Sequence, residues 1–122
     1  MICLGILVLA AVVYSPILGH DFLNLDDPAY VTSNPNVLTG LSWKNLQWAF
    51  TTLHAEFWHP LTWISLQADT WLYGGIPEGY LRTNLMLHMF NALLFFLSFY
   101  RMTGAAFRSA FAAALFAVHP IH

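Results

Sequence analysis

The first nineteen residues, MICLGILVLAAVVYSPILG (Met1–Gly19), contain no charged side chain. At roughly 1.5 Å per residue, a helix of this length is about 28 Å long, close to the thickness of the hydrocarbon core of a bilayer. A cleaved signal peptide is the alternative interpretation. The stretch has no basic amino-terminal region, however, and no small-x-small cleavage site precedes His20. The sequence therefore favours an uncleaved transmembrane helix.

The composition indicates the same class of protein. Of the 122 residues, 58 % are hydrophobic and 8 % are charged, whereas soluble domains contain roughly 25 % charged residues. A soluble protein of this length cannot bury so much apolar surface.

Charge and cysteine content exclude two further features. The formal net charge is −2 and the four Lys and Arg residues are scattered, so we set aside nucleic-acid binding, which needs a basic patch. The single cysteine, Cys3, excludes an intrachain disulfide.

Two further hydrophobic stretches, at about 82–101 and about 105–120, predict two more transmembrane helices. Arg101 and Arg108 flank the short turn between them, which the positive-inside rule places in the cytoplasm. The amino terminus is then cytoplasmic and the loop at about 20–81 faces outward. All six acidic residues and all five tryptophans lie in this loop. The predicted fold class is therefore all-α integral membrane, with three transmembrane helices and one long outward loop.

Two segments of the outward loop have the pattern of amphipathic helices. Ser42 is the expected N-cap of the first, and Pro60 is the expected first residue of the second. Both segments have apolar side chains at helical spacing. These are Trp43, Leu46 and Phe50 in the first and Leu61, Ile64, Ala68 and Trp71 in the second. Because Trp-rich amphipathic helices tend to lie in the plane of the membrane interface, we expect both to be interfacial.

The first candidate for chemistry is the pair Asp26–Asp27, followed by Pro28. One interpretation is structural: Asp27 caps a short helix whose first residue is Pro28. The other is functional. Adjacent carboxylates held close together cannot both ionise freely, so one becomes a base able to accept a proton. A divalent cation, Mg²⁺ or Mn²⁺, would instead keep both charged. The dipeptide alone leaves these alternatives open.

The second candidate is EFWHPLTW, Glu56–Trp63. It is either an aromatic anchor in the membrane interface, with His59 capping the next helix, or a substrate site. In the second interpretation Glu56 and His59 lie near the lipid headgroups, where a phosphate-bearing lipid presents its polar end. The residues themselves favour neither interpretation.

Polar residues inside the second span form a third candidate. Four of them share one face of the predicted helix. They are Asn84, His88, Asn91 and Ser98. Hydrogen bonding between helices is one explanation, and we apply it to the asparagines. His88, near the outer end, is a candidate for contact with substrate.

The last candidate is a pair of histidines at the end of the third predicted span. His119 and His122 resemble a metal-binding pair, but two histidines are fewer than the full ligand set that a metal requires.

Taken in chain order, these motifs resemble one family. After the first span come LNLDDPAYVTSNPNV (23–37), WHPLTWISLQADTWLYG (58–74), NLMLHMFNALL (84–94) and AAALFAVHPIH (112–122). The arrangement is similar to the start of the multi-spanning protein O-mannosyltransferases with tetratricopeptide repeats. These enzymes belong to the GT-C superfamily of polyprenyl-phosphate-sugar-dependent glycosyltransferases.

The resemblance implies transfer of a sugar, with mannose expected, from a polyprenyl-phosphate donor to a hydroxyl of a protein acceptor. The reaction would occur on the outer or luminal face of a bacterial inner membrane or an endoplasmic reticulum membrane. Asp26 and Asp27 match the acidic catalytic motif, as base or as metal ligands. The residues expected to bind substrate are Glu56, His59, Arg82 and His88.

The resemblance also implies further spans, usually followed by soluble repeats. We therefore expect residues 1–122 to be the amino-terminal portion of a larger multi-spanning enzyme, inactive alone. The competing class is a non-enzymatic multi-pass membrane component, such as an assembly partner or part of a transporter, in which the polar stripe serves helix packing. Further spans followed by 34-residue helical repeats in the gene would favour the transferase.

Overall fold

The computed structural model describes residues 1–22 and 27–119, and these residues form helices and no strand. The predicted all-α class is confirmed. By length and composition, two helical segments are long and apolar enough to cross a membrane, Ile2–Gly19 and Pro77–Thr103. The chain divides into two compact units, each with its own core. We call Met1–Gly19 together with the chain from Arg82 onward the helical unit, and His20–Leu81 the loop unit.

The helical unit contains α1 (Ile2–Tyr14), most of α5 (Pro77–Thr103) and α6 (Ala106–Val118). α1 continues as a 3₁₀ turn over Ser15–Gly19, a change that coincides with Pro16, whose ring and missing N–H disfavour a regular α-helix. The core of this unit consists largely of small side chains from all three helices, which allow the helix axes to approach closely. Its buried residues are Ile6, Ala10, Ala92, Phe96, Ala113 and Ala117.

Two predicted spans differ from the helices that form. α5 begins at Pro77, earlier than the span predicted at about 82–101, because proline suits the first position of a helix and nothing interrupts the helix at Arg82. α6 has 13 residues and is therefore about 20 Å long, shorter than the roughly 20 residues that a typical span requires. A third crossing at about 105–120 thus stays a prediction.

The loop unit contains α2 (Pro35–Leu38), α3 (Trp43–Thr51) and α4 (Pro60–Tyr73), with a π-helical turn at Pro28–Thr32 and a 3₁₀ turn at His54–Glu56. Both predicted helix starts are confirmed. The Ser42 hydroxyl accepts a hydrogen bond from the Asn45 amide at 3.1 Å, and Pro60 is the first residue of α4.

The two amphipathic helices expose their apolar faces. On α3, Trp43 is 75 % and Phe50 54 % exposed; on α4, Leu61 is 77 % and Trp71 68 % exposed. The faces turned toward the core of the loop unit carry several polar side chains. They include Asn45 on α3 and Gln67, Asp69 and Thr70 on α4.

Asn45 is the centre of a buried hydrogen-bond network in the loop unit. Its side-chain nitrogen donates to the Thr39 hydroxyl at 2.9 Å and to the Gly40 carbonyl at 2.6 Å. Its own carbonyl accepts from the Gln67 side chain at 3.2 Å. The network therefore joins α4, α3 and the turn between α2 and α3, and holds α3 with its polar side inward.

Candidate functional site

Asp27 precedes the π-helical turn, and Pro28 takes its first position, as predicted. The Asp27 backbone is in the right-handed helical region (φ −55°, ψ −35°), and its side chain makes no capping hydrogen bond. A capping residue is normally extended, which lets its carboxylate reach an amide two or three residues ahead. The predicted turn is therefore present, but helix capping does not account for the carboxylate of Asp27. Asp26 lies outside the described residues.

The turn after Asp27 packs against the segment that carries His59. Tyr30 stacks on His59, with ring centroids 5.6 Å apart and an interplanar angle of 11°, and on Trp63 at 5.0 Å and 22°. His59 and Trp63 stack on each other at 4.8 Å. Two motifs that are about thirty residues apart in the sequence, the acidic turn and Trp58-His59-Pro60-Leu61, thus form one aromatic cluster.

His59 occupies the position before α4, but its side chain does not cap the helix. The predicted capping role of this side chain is therefore wrong: the imidazole stacks against Tyr30 and Trp63 instead of turning toward the helix amides. Its Nε2 is buried and has no hydrogen-bond partner in the described part of the chain, and the same is true of the Trp63 indole nitrogen. A buried polar group without a partner costs about 1–3 kcal/mol, and two such atoms lie in this cluster.

Glu56 lies in a strained turn between α3 and α4. Ala55 and Glu56 have φ values of 57° and 66°, in the left-handed region that residues other than glycine rarely adopt. Such conformations cost about 1–3 kcal/mol each and cluster at functional sites. Glu56 is exposed.

A groove lies close by in the chain. Trp58 donates its indole N–H to the Phe50 carbonyl at 2.9 Å. The groove has a volume of about 490 Å³ and is lined by Phe50, Trp58, His59, Pro60, Leu61 and Thr62.

The other two predicted substrate-binding residues, Arg82 and His88, belong to α5 within the helical unit. Arg82 is exposed. The His88 Nε2 donates to the Ala117 carbonyl at 3.0 Å, and its ring lies edge-on to Tyr14 and stacks on Phe116. The last carbonyls of a helix have no partner within it, so His88 satisfies one at the end of α6. Contact between His88 and substrate stays a prediction.

The polar stripe of α5 is divided between packing and exposure. His88 is half-buried and packs against α1 and α6, whereas the remaining members of the stripe are exposed. These are Asn84, Asn91 and Ser98. The asparagines are thus exposed within the described residues. Helix packing of the asparagines and substrate contact of His88 both stay predictions. Spacing along a helix indicates a shared face, but it does not say which neighbour covers that face.

Within the described ranges, 1–22 and 27–119, no group of three or more His, Cys, Asp or Glu side chains is arranged to hold a metal ion. Asp26 and His122 lie outside those ranges. The predicted cation site at Asp26 and Asp27, and the pair His119 and His122, therefore stay predictions.

Tyr30 and His54, whose rings both contact Trp63, were not predicted as site residues. His54 lies in the 3₁₀ turn, where its Nε2 is 3.0 Å from the Ala29 carbonyl oxygen. Tyr30 is part of the motif that carries the family resemblance. Its position, three residues after Asp27, could therefore have identified it as a site residue. His54 belongs to no motif or helical pattern, and only the fold reveals it.

The fold defines a class: an all-helical protein with two helices long and apolar enough to cross a membrane. No protein-family model matches the chain, and neither a curated protein nor a solved structure is detectably similar to it. The functional assignment therefore depends on the cluster at Asp27 and His59 and on the motifs that carry the resemblance.

Proposed function

We propose that this chain is the amino-terminal part of a membrane-embedded glycosyltransferase. The enzyme transfers a sugar, mannose by resemblance, from a polyprenyl phosphate to a hydroxyl of a protein. The observation that carries the proposal is the packing of the Asp27 turn on the His59 segment, through the Tyr30 ring. The turn that follows Asp27, whose carboxylate does not cap the helix, is thereby held against the segment of His59, whose buried Nε2 has no hydrogen-bond partner in the described part of the chain.

The proposed membrane topology has three spans, a cytoplasmic amino terminus, and α3 and α4 lying flat in the outer interface. The exposed apolar faces of these two helices support it, because Trp43 and Trp71 are of the residue type that prefers the headgroup region. The membrane is a bacterial inner membrane or an endoplasmic reticulum membrane, as the resemblance implies. Cysteine labelling tests the topology: labels near Trp48 or Trp71 that react only from the cytoplasmic side would contradict it.

The proposed location of the cluster, in an outward loop at the membrane interface, suits a lipid-linked donor. The polyprenyl tail lies in the bilayer and the phosphate lies at headgroup depth, so transfer occurs where an outward loop meets the interface. In the proposed reaction Asp27 accepts the proton of the acceptor hydroxyl, and the resulting oxygen attacks the anomeric carbon of the sugar. The bond between that carbon and the phosphate oxygen breaks, and the polyprenyl phosphate leaves with its electron pair.

A divalent cation is compatible with this arrangement. Mg²⁺ is usually bound by one or two carboxylates together with substrate phosphates, and Asp27 provides one such carboxylate, with Asp26 as its neighbour in the sequence. When bound, the cation would stabilise the negative charge on the leaving phosphate. Asp27 accepts the proton in the scheme above whether or not a cation is bound.

Asp27→Asn in the full-length gene product tests the proposal. General-base catalysis contributes roughly 10²–10⁴-fold to rate, so transfer from polyprenyl-phosphate mannose to an acceptor peptide should fall by about that factor while insertion and folding stay normal. Asp21→Asn, an exposed acid of the same unit, is the matched control and should transfer normally. Near-normal transfer by Asp27→Asn would show that the reaction does not need the carboxylate of Asp27, and the proposed role of Asp27 as the base would be wrong.

A non-enzymatic membrane component is the second candidate function. It is favoured by the exposure of Asn84, Asn91 and Ser98 at seven-residue intervals on α5, since polar side chains within a membrane normally face other helices. Replacing Asn91 with leucine separates the two candidates. If the full-length protein transfers no sugar and Asn91→Leu dissolves its complex on a native gel, the assembly function is correct.

A further inference from the structure

His54 is an exposed histidine with an unusual set of contacts for its position. Its Nε2 lies 3.0 Å from the carbonyl oxygen of Ala29, twenty-five residues earlier in the chain. A carbonyl only accepts, so this nitrogen carries the proton and donates. The ring also lies edge-on to Trp63, at 5.6 Å, and tilted against Trp48, at 5.9 Å. These contacts fix both the position and the orientation of the imidazole.

The Ala29 carbonyl belongs to the turn that follows Asp27, and within the described residues its hydrogen bond comes from outside the turn. A π-helix pairs the carbonyl of one residue with the amide five residues later, which for Ala29 is the amide of Asn34. That amide donates to the Val31 carbonyl instead, at 3.1 Å. A single helical turn is also too short to be stable alone. His54 therefore supplies a bond that holds this turn in place.

The backbone after His54 is strained in a way that agrees with this role. Ala55 and Glu56 are both left-handed, and such strain persists only where the surroundings over-determine the chain. The surroundings fix the chain on both sides here. His54 is bonded to Ala29 before the strained pair, and Trp58 is bonded to the Phe50 carbonyl after it. The strained pair lies in the connection between His54 and His59. This connection lets His54 bond to Ala29 while His59 stacks on Tyr30.

We infer that His54 is a positioning residue: its hydrogen bond to Ala29 fixes the turn that carries Asp27 against the His59 segment. The inference rests on the proposed function, because it assigns His54 the task of holding the catalytic carboxylate in place. A misplacement of about 1 Å in a reacting group costs on the order of 10²-fold in rate. Loss of the bond should therefore lower the rate of transfer without weakening the binding of the donor.

Two substitutions in the full-length protein separate the hydrogen bond from ring packing. His54→Phe keeps a ring against Trp63 and Trp48 but removes the donor, and we expect kcat to fall about 10–100-fold with KM for polyprenyl-phosphate mannose within about twofold. His54→Gln has an amide that can donate to Ala29 and should recover most of the rate. His20→Phe, a change at another exposed histidine, is the control and should leave kcat unchanged. Equal losses in His54→Gln and His54→Phe would overturn the inference.

The double variant with Asp27→Asn tests whether His54 acts through Asp27. If it does, His54→Phe should cost less than about twofold once the carboxylate is gone, because the effects of residues that act together are not additive. A full 10–100-fold loss in the Asp27→Asn background would show that His54 acts independently of Asp27, and the inference would be wrong.

Hydrogen exchange tests the bond without relying on activity. In the full-length protein in lipid nanodiscs, His54→Phe should raise amide exchange in the turn at Pro28–Thr32 about tenfold, while the amides of α4 exchange at the wild-type rate. If the wild-type protein transfers no sugar, the proposed function fails and exchange alone decides whether His54 holds the turn. Unchanged exchange in the turn would overturn the inference whatever the activity.

Discussion

Asn45→Ala tests whether buried hydrogen bonds hold the loop unit together. Asn45 is 4 % exposed, and its side chain donates to the Thr39 hydroxyl and the Gly40 carbonyl. A typical hydrogen bond contributes about 1 kcal/mol net, and a buried acceptor left without a donor costs about 1–3 kcal/mol. The Gln67 bond goes to the main chain of Asn45 and survives the change. The substitution should therefore lower the free energy of unfolding by about 2–4 kcal/mol.

Tryptophan fluorescence measures this loss in the intact chain. All five tryptophans lie in the loop unit, so urea unfolding in detergent followed by fluorescence reports on this unit alone. With a urea slope of about 2 kcal/mol/M, the midpoint should fall by about 1–2 M. Gln47→Ala is the matched control, because Gln47 is exposed on the same helix, and it should change the free energy of unfolding by less than about 0.5 kcal/mol.

The result that refutes this reasoning is a midpoint for Asn45→Ala equal to that of Gln47→Ala. Asn45→Asp adds a second criterion, because it keeps the shape of the side chain and replaces the donor with a carboxylate facing the Gly40 carbonyl. It should destabilise the loop unit at least as much as alanine does. If aspartate retained wild-type stability, donation to Gly40 would not be the source of the stabilisation.

Substitutions at two further positions, Ser42 and Gly74, are checked by the same urea experiment. Ser42→Ala removes the cap of α3 and should cost about 1 kcal/mol, whereas Ser42→Asp should keep most of the stability; equal losses would contradict the capping role. Gly74→Ala places a side chain in open space at φ 69°, so its cost of about 1–2 kcal/mol should come from backbone strain alone. Gly74→Asn should cost less, since asparagine tolerates this region, and an alanine variant as stable as wild type would contradict the strain argument.

Helix starts in the loop unit were predictable because their signals are local. The Ser42 hydroxyl reaches an amide three residues ahead, and Pro60 needs only its own ring to suit the first position of a helix. The all-α class was predictable for a similar reason, since a long uncharged stretch indicates a helix by itself. Neither inference requires knowledge of what the helix packs against.

The orientation of the amphipathic helices did not follow from the sequence. The spacing of Trp43 and Phe50 shows that they share a face, but the pattern is the same whether that face is buried or exposed. The side turned inward is decided by partners far along the chain, such as Gln67 on α4, which donates to the main chain of Asn45. Such long-range contacts are not encoded in the periodicity of one helix.

The candidate site was predictable only where a side chain belongs to a motif. Asp27 and His59 were named from the sequence, and the structure packs their segments together through Tyr30. His54 was not named from the sequence and His88 was, but the contacts of both are with main-chain carbonyls, of Ala29 and Ala117. Because every residue has a main-chain carbonyl, the residue types do not show which carbonyl a histidine contacts. The hydrogen bonds of these two histidines are therefore known only from the fold.

The exposed apolar faces of α3 and α4 bear directly on where any chemistry takes place. Leaving a large apolar side chain in water instead of burying it costs about 1.5–3 kcal/mol, and Trp43, Phe50, Leu61 and Trp71 are all more than half exposed. Scaled by these exposed fractions, the four side chains together amount to roughly 4–8 kcal/mol, comparable with the whole stability of a small domain. We therefore expect an apolar medium to cover these faces. Helices apolar enough to cross a membrane lie before the loop unit and at its end in the chain. Under the proposed membrane topology, we therefore expect the bilayer to be this medium, and the cluster at Tyr30 and His59 to lie at headgroup depth, where a lipid-linked phosphate would be found.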